Sequence, residues 1–145
     1  MAAVYTVERL GAERIDQAYP LIWAVEPGLT LAQWRHTFNT ELSGAGRTAL
    51  VVCGASGYLY ALCVVKVVRP PQDAPYLAIS KLMIDTAPDP EGVGLAMLQG
   101  LSDYAAGAGC ARLRISILGT DDAALAVLSR ARASISHSPL TIEMQ

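Results

Sequence analysis

Two adjoining segments hold most of the groups in this chain that can do chemistry. Tyr76 to Asp85 is a nearly continuous apolar stretch interrupted by Ser80 and Lys81, and a loop of Pro and acidic residues leads from it to Gly92-Val93-Gly94-Leu95. Glycines at a helix start let a phosphate touch backbone N–H groups with no Cβ in the way. The unpaired amides and the helix dipole there favour an anion. The same residues have a plainer reading. Asp89-Pro90-Glu91 is an ordinary helix start, with Asp as N-cap and Pro in the first turn. The dipole would then be met by the protein's own carboxylates, and Gly92 and Gly94, poor helix formers, would need another explanation.

Proton carriers are the next requirement. Lys81 is unusual in an apolar strand, because burial would lower its ammonium pKa toward a useful range. The alternative is a long stem that snorkels to the strand edge. Ser80 is its neighbour, and Glu26, just before the Pro27-Gly28 bend, reads equally as a residue lining the acceptor mouth or as a solvated helix-end residue. Tyr58, Tyr60 and Tyr76 offer phenols, although aromatic residues on strands commonly pack across to a neighbour. His36 and His137 have no ligand spacing around them, so no metal site is expected. Ser56 lies in Gly54-Ala55-Ser56-Gly57, which lacks the hydrolase elbow pattern and reads as a turn. Cys53, Cys63 and Cys110 have no base nearby in sequence and no CxxC spacing; they read as small buried hydrophobes in a reducing cytoplasm.

The elements that must position these groups follow from periodicity. Val4 to Leu10 predicts a strand. Ile15, Tyr19, Ile22 and Trp23 predict an amphipathic helix ending near Pro27-Gly28. Thr30 with Gln33 is a capping-box signal for a second helix, whose stripe is Leu31, Trp34, Phe38 and Leu42. Thr48 to Cys53 and Tyr58 to Val68 predict a hairpin about Gly54–Gly57, and Arg69 to Pro75 a proline-stiffened loop. Tyr76 to Asp85 predicts a strand buried on both faces. A helix then carries Met97, Leu98, Leu101, Tyr104 and Ala105 inward and stops at Gly107 and Gly109. Arg112 to Leu118 predicts a strand, Asp121 to Arg132 a helix, Ala133 to Ser136 a further strand, and Leu140 to Met144 a short last one. The order β-α-α-β-β-β-α-β-α-β-β predicts one α/β domain over residues 1–145, a mixed central sheet with helices on both faces.

Composition agrees and excludes several classes. The 145 residues suit one domain with one core, and at 52% hydrophobic and 17% charged the chain is not disordered. A net charge of −2 with scattered Lys and Arg lacks the footprint of a nucleic-acid binder or a basic membrane-surface protein. No signal peptide is read at the N-terminus. Thr48 to Val65 is uncharged and long enough to span a bilayer, but its central Gly54–Gly57 makes two strands the better reading.

The strand ending Lys81-Leu82-Met83-Ile84-Asp85, the Gly92-Val93-Gly94 helix start, Leu113 to Ile117 and Asp121 to Leu128 stand in an order and spacing that resembles the GNAT acetyltransferases. The element order covers essentially the whole chain; the sharper motif is confined to Lys81–Leu128. The resemblance implies acyl transfer from acetyl-CoA, or another acyl-CoA, to a small-molecule or peptide amine. Gly92, Val93, Gly94 and Leu95 would then take the CoA pyrophosphate, and Leu82, Met83 and Ile84 the pantetheine arm, with an unpaired main-chain N–H near Ile84 as oxyanion donor. Asp121 would stand near the cofactor, and Lys81, Ser80 and Glu26 would line the acceptor side. The chain departs from the pattern in three places. Asp89 stands where the family has Gln or Arg, with Glu91 adding a second carboxylate; a like charge about 5 Å from an anion costs on the order of 3 kcal/mol at an effective dielectric of about 20. Asp121 replaces an Asn, and Leu128 a Tyr that protonates the departing thiolate. A GNAT-like binding module without catalysis is the competing expectation, and a homodimer is open to either. A doubly wound nucleotide-binding domain is disfavoured because no Gly-x-Gly-x-x-Gly follows an early strand.

Overall fold

A computed structural model of the chain describes residues 4–42, 46–85, 89–116, 120–133 and 141–144. Strand β1 (Tyr5–Arg9) and a single 3-10 turn (Ala12–Arg14) precede helix α1 (Ile15–Val25). Helix α2 (Leu31–Thr37) runs on into a π-helical turn at Phe38–Leu42. Strands β2 (Arg47–Gly54), β3 (Leu59–Val68) and β4 (Tyr76–Ile84) follow. Helix α3 (Pro90–Gly107), strand β5 (Arg112–Ile115), helix α4 (Asp122–Ala133) and strand β6 (Thr141–Met144) complete the order.

The strands form one six-stranded sheet in chain order. β1 to β4 pair antiparallel, and β4, β5 and β6 pair parallel. Chain direction explains the switch. A tight turn joins β2 to β3, where Gly57 adopts φ +88° and its N–H donates to Gly54 O at 3.0 Å. The later strands are joined through helices, which parallel pairing requires. Two successive right-handed crossovers that advance the same way place both helices on one face. Accordingly α3 and α4 share a core with the sheet, built on Val65, Ile79, Leu82, Ile84, Met97, Leu101 and Leu128. α1 and α2 cover the other face through Ile22, Trp34, Phe38, Val51, Leu62 and Val64. The predicted α/β architecture, with helices on both faces, is what the chain adopts.

Local signals account for most element ends. Thr30 and Gln33 form the predicted capping box, each side chain bonding the other's backbone N–H. The buried Trp34 indole donates to Ile15 O at 2.8 Å and ties α2 to the start of α1. Gly109, at φ +76°, ends α3 with Cys110 N–H bonded to Ala105 O and its own N–H bonded to Ala106 O. That is the paired bonding of a left-handed helix cap.

Three expectations change. Trp23, placed on the inward stripe of α1, is 51% exposed. β4 is fully buried only toward α3; Tyr76, Ala78, Ser80, Lys81 and Met83 on the opposite face are half-buried, because α1 covers that face incompletely. β5 spans Arg112–Ile115, and residues 117–118 of the expected strand lie outside the described residues. Ala133 closes α4, and residues 134–136 of the expected extra strand lie outside the described residues. No helix among the described residues is long and apolar enough to cross a membrane.

Candidate functional site

The site is built on a break in β4. Lys81, at φ +53°, is the one non-glycine with positive φ among the described residues. Such a conformation is costly for a residue with a Cβ and persists only where the surroundings impose it. Here β3 advances two residues, Val64 to Leu62, while β4 advances three, Ser80 to Met83. The extra residue is a β-bulge. Before it, Leu77 and Ile79 face α3; after it, Leu82 and Ile84 do. Ser80 and Lys81 are thereby both turned to the α1 side.

The bulge brings two predicted residues together. Lys81 Nζ forms an ion pair with Glu26 Oε1, with the two side chains 36% and 31% exposed. Glu26 is held because it caps α1, its N–H donating to Ile22 O at 2.9 Å. Burial pushes the Lys81 ammonium below its ordinary value. The Glu26 carboxylate favours the charged form and opposes that shift. Both side chains line a cavity of about 190 Å³ whose other walls include Trp34, Glu41, Arg47 and Val64. Ser80 lines a neighbouring cavity instead.

Beyond the bulge β4 parts from β5. Among the described residues their pairing covers Leu77–Ile79 against Leu113–Ile115, and Ser116 N–H bonds Ile79 O at 2.8 Å. The Leu82 peptide bonds to the entry of α4 instead: its N–H donates to Thr120 Oγ1 at 3.3 Å and its carbonyl accepts from Asp121 N–H at 3.0 Å. Asp85 N–H donates to Tyr60 O at 2.7 Å. Strand alternation therefore turns the Ile84 N–H away from β3, to the same side as that of Leu82. Met83, between them, is half-buried on the α1 face.

The start of α3 carries the expected Asp89 N-cap. The helix begins at Pro90, so Gly92, Val93 and Gly94 lie inside its first turns and not in a preceding loop. Asp89 is the N-cap: Oδ1 accepts from Gly92 N–H at 3.1 Å and Oδ2 from the Tyr5 hydroxyl at 2.8 Å. Burial, that hydrogen bond and the neighbouring carboxylate push the Tyr5 phenol up to about 12. Both glycines have a packing role. A Cβ at Gly92 would stand 2.3 Å from Asp89 Oδ2, and one at Gly94 2.5 Å from Val127 Cγ1 of α4. Val93 is buried, and Leu95 is 40% exposed at the mouth of a hollow of about 500 Å³ that also holds Asp89, Glu91 and Arg130. Arg130 is a cation beside this helix start that sequence reasoning missed. It sits on α4, and only the close α3–α4 packing at Gly94 brings it there.

The remaining candidates make the following contacts. Asp121 caps α4, its Oδ2 accepting from Ala124 N–H at 3.0 Å. Leu128, at the position of the family's phenol, is 2% exposed in the core under α3. Tyr58 donates to Asp85 Oδ2 at 2.9 Å and stands 4.6 Å from the Tyr60 ring. All three cysteines are buried and free; burial pushes Cys63 up to about 12, and burial with the Glu8 contact raises Cys53, so neither is an available thiolate. His36 is exposed, and no group of three or more His, Cys, Asp or Glu among the described residues is placed to hold a metal.

No family model matches the sequence, and no curated protein matches it. Solved structures match throughout its length. An acetyltransferase of Trypanosoma brucei superposes with a TM-score of 0.67 at 14% identity, over 93% of this chain and 95% of that one. Glucosamine-6-phosphate N-acetyltransferase of Arabidopsis thaliana gives 0.66 at 12% identity, over 93% and 95%. An aminoglycoside N-acetyltransferase determined in complex with CoA gives 0.71 at 9% identity, over 95% and 91%. The six-stranded mixed sheet, split between β4 and β5 and flanked by helices on both faces, is the GNAT acetyltransferase fold.

Proposed function

We propose that this chain is an acyl-CoA-dependent N-acyltransferase that moves an acetyl group from acetyl-CoA to the amine of a small molecule. The observation that carries the reading is the Lys81 bulge, which sets a proton donor and a proton acceptor side by side where β4 parts from β5. Glu26 takes the proton that the acceptor nitrogen loses as it attacks the thioester carbonyl. The Ile84 N–H, turned into the gap, faces the oxygen on which negative charge develops. Lys81 delivers a proton to the departing sulfur, the task of the absent phenol, and a transfer from Glu26 to Lys81 resets the pair. Ser80 borders the acceptor. Leu82 and Met83 run alongside the pantetheine arm, for which Leu82 must exchange its bonds to Thr120 and Asp121. Arg130 and the start of α3, whose residues Gly92 to Leu95 lie in its first two turns, take the pyrophosphate, the Gly92 N–H being freed once the Asp89 carboxylate turns away from it.

A second reading, a binding module of the same fold without catalysis, is favoured by that Asp89 cap and by the burial of Leu128. Thermal unfolding with and without acetyl-CoA tests both. Ligand at a hundredfold its dissociation constant raises stability by about 2.7 kcal/mol. A shift accompanied by thiol release with amines supports the enzyme, and a shift without release across amines supports the module. No shift at millimolar acetyl-CoA or CoA rejects acyl-CoA binding altogether.

A further inference from the structure

The face of the sheet on the acceptor side is only partly covered. The core under α1 and α2 draws on β2, β3 and β4 and includes no residue of β5. On the face formed by β3, β4 and β5 lies a concavity of about 230 Å³. Its polar lining consists of three cations, Arg47, Lys66 and Arg114, and three hydroxyls, Tyr76, Ser80 and Ser116; no carboxylate lines it. Arg47 and Lys66 form no ion pair among the described residues. Arg114 is held in place, its guanidinium 4.2 Å from the Tyr76 ring centre and ion-paired with Glu143 Oε2 of the neighbouring strand at 3.2 and 3.3 Å. Cations gathered in a concave, partly apolar surface repel one another and focus a positive field, and guanidinium groups match carboxylate and phosphate oxygens.

The placement relates this concavity to the Lys81–Glu26 pair. The cavity holding that pair and the cationic one share Arg47 and Val64 as walls. Ser80, in one, and Lys81, in the other, are consecutive residues, so their Cα atoms are about 3.8 Å apart. One small molecule can therefore reach both. We infer that the acceptor is a primary amine that also carries a carboxylate or phosphate, the amine directed to Glu26 and the anionic group to Arg47, Lys66 and Arg114. The inference rests on the acyl-transfer reading and names the substrate class of the same site. It also separates this chain from acetyltransferases whose acceptors carry several positive charges and no negative one, since those would meet a repulsive wall.

The test pairs amines that differ only in the anion. Glycine is compared with its methyl ester, and phosphoethanolamine with ethanolamine, within a panel matched in the same way. Thiol release is read in the wild type, in Arg47→Gln/Lys66→Gln and in Arg47→Lys; acetyl-CoA binding is followed by thermal shift and inorganic phosphate binding by calorimetry. Both substituted residues are exposed. The expected result is higher kcat/KM for the anionic member of each pair, with KM raised about tenfold or more in the double variant for those members only. Phosphate affinity should fall in parallel, Arg47→Lys should retain most of it, and the acetyl-CoA shift should not change. Equal use of both members of each pair, or phosphate bound as well by the double variant, overturns the acceptor assignment while leaving the acyl-transfer reading intact. A chain that ignores acetyl-CoA overturns both.

Discussion

Lys81 and Glu26, far apart in the chain, form an ion pair because a bulge turns the lysine out of its strand and a helix end holds the carboxylate beneath it. If the pair carries the proton transfers, Glu26→Gln and Lys81→Met should each lower kcat by about a hundredfold or more while acetyl-CoA affinity stays near wild type. The pH profile has a defined sign. Lys81 must be protonated to act as the acid, and its pKa lies below the ordinary 10.5, so kcat should fall on the alkaline side through that lowered value. Lys81→Arg, whose guanidinium does not deprotonate, should lower kcat as Lys81→Met does, and its residual activity should lack that limb. A profile identical in wild type and Lys81→Arg would exclude the role.

The Asp89 carboxylate occupies the Gly92 N–H, an amide that a phosphate at this helix start would use. Asp89→Ala removes an N-cap and should cost about 1 kcal/mol of stability, read from urea unfolding. Asp89→Gln removes the charge and should strengthen acetyl-CoA binding by about tenfold, because a like charge no longer faces the pyrophosphate. Unchanged or weaker binding in Asp89→Gln means that the phosphate does not approach this helix end.

Gly94 is required by α4. A methyl group there would meet Val127 Cγ1 at 2.5 Å. Gly94→Ala should therefore lower stability by about 1–3 kcal/mol through overpacking. Gly94→Ala combined with Val127→Ala should be less destabilised than the two single effects added together, the sign of a direct contact. Additive losses would argue against it.

Tyr5 makes stability depend on alkaline pH. Its ordinary value is 10.0 and its value in the fold about 12, so between these the folded chain holds a proton that the unfolded chain has released. The stabilisation is complete below pH 10 and is lost as pH rises toward 12. Tyr5→Phe should show a shallower decline of the urea midpoint across that window. Parallel curves for the two proteins would show that the hydroxyl has no such partner.

Much of the fold is legible in the sequence because burial imposes local periods. The stripe Trp34–Phe38–Leu42, the Gly54–Gly57 turn and the stop at Gly109 each follow from a few neighbouring residues, and the element order implies the layers. Ser80 and Lys81 are visible as polar residues in an apolar run, Glu26 as a carboxylate before the Pro27-Gly28 bend, and Asp89-Pro90 as a cap. Their relationships are not visible. A bulge with Lys at positive φ has no local signal, since glycine would be the expected occupant, yet that bulge turns Lys81 toward Glu26. The glycine pair of α3 looks the same in sequence whether it admits a phosphate or a helix, and only the positions of Asp89 and Val127 show what stands against it. Arg130 beside α3, Tyr5 on Asp89 and the cations around Ser80 are likewise products of packing between distant segments, which no local pattern encodes.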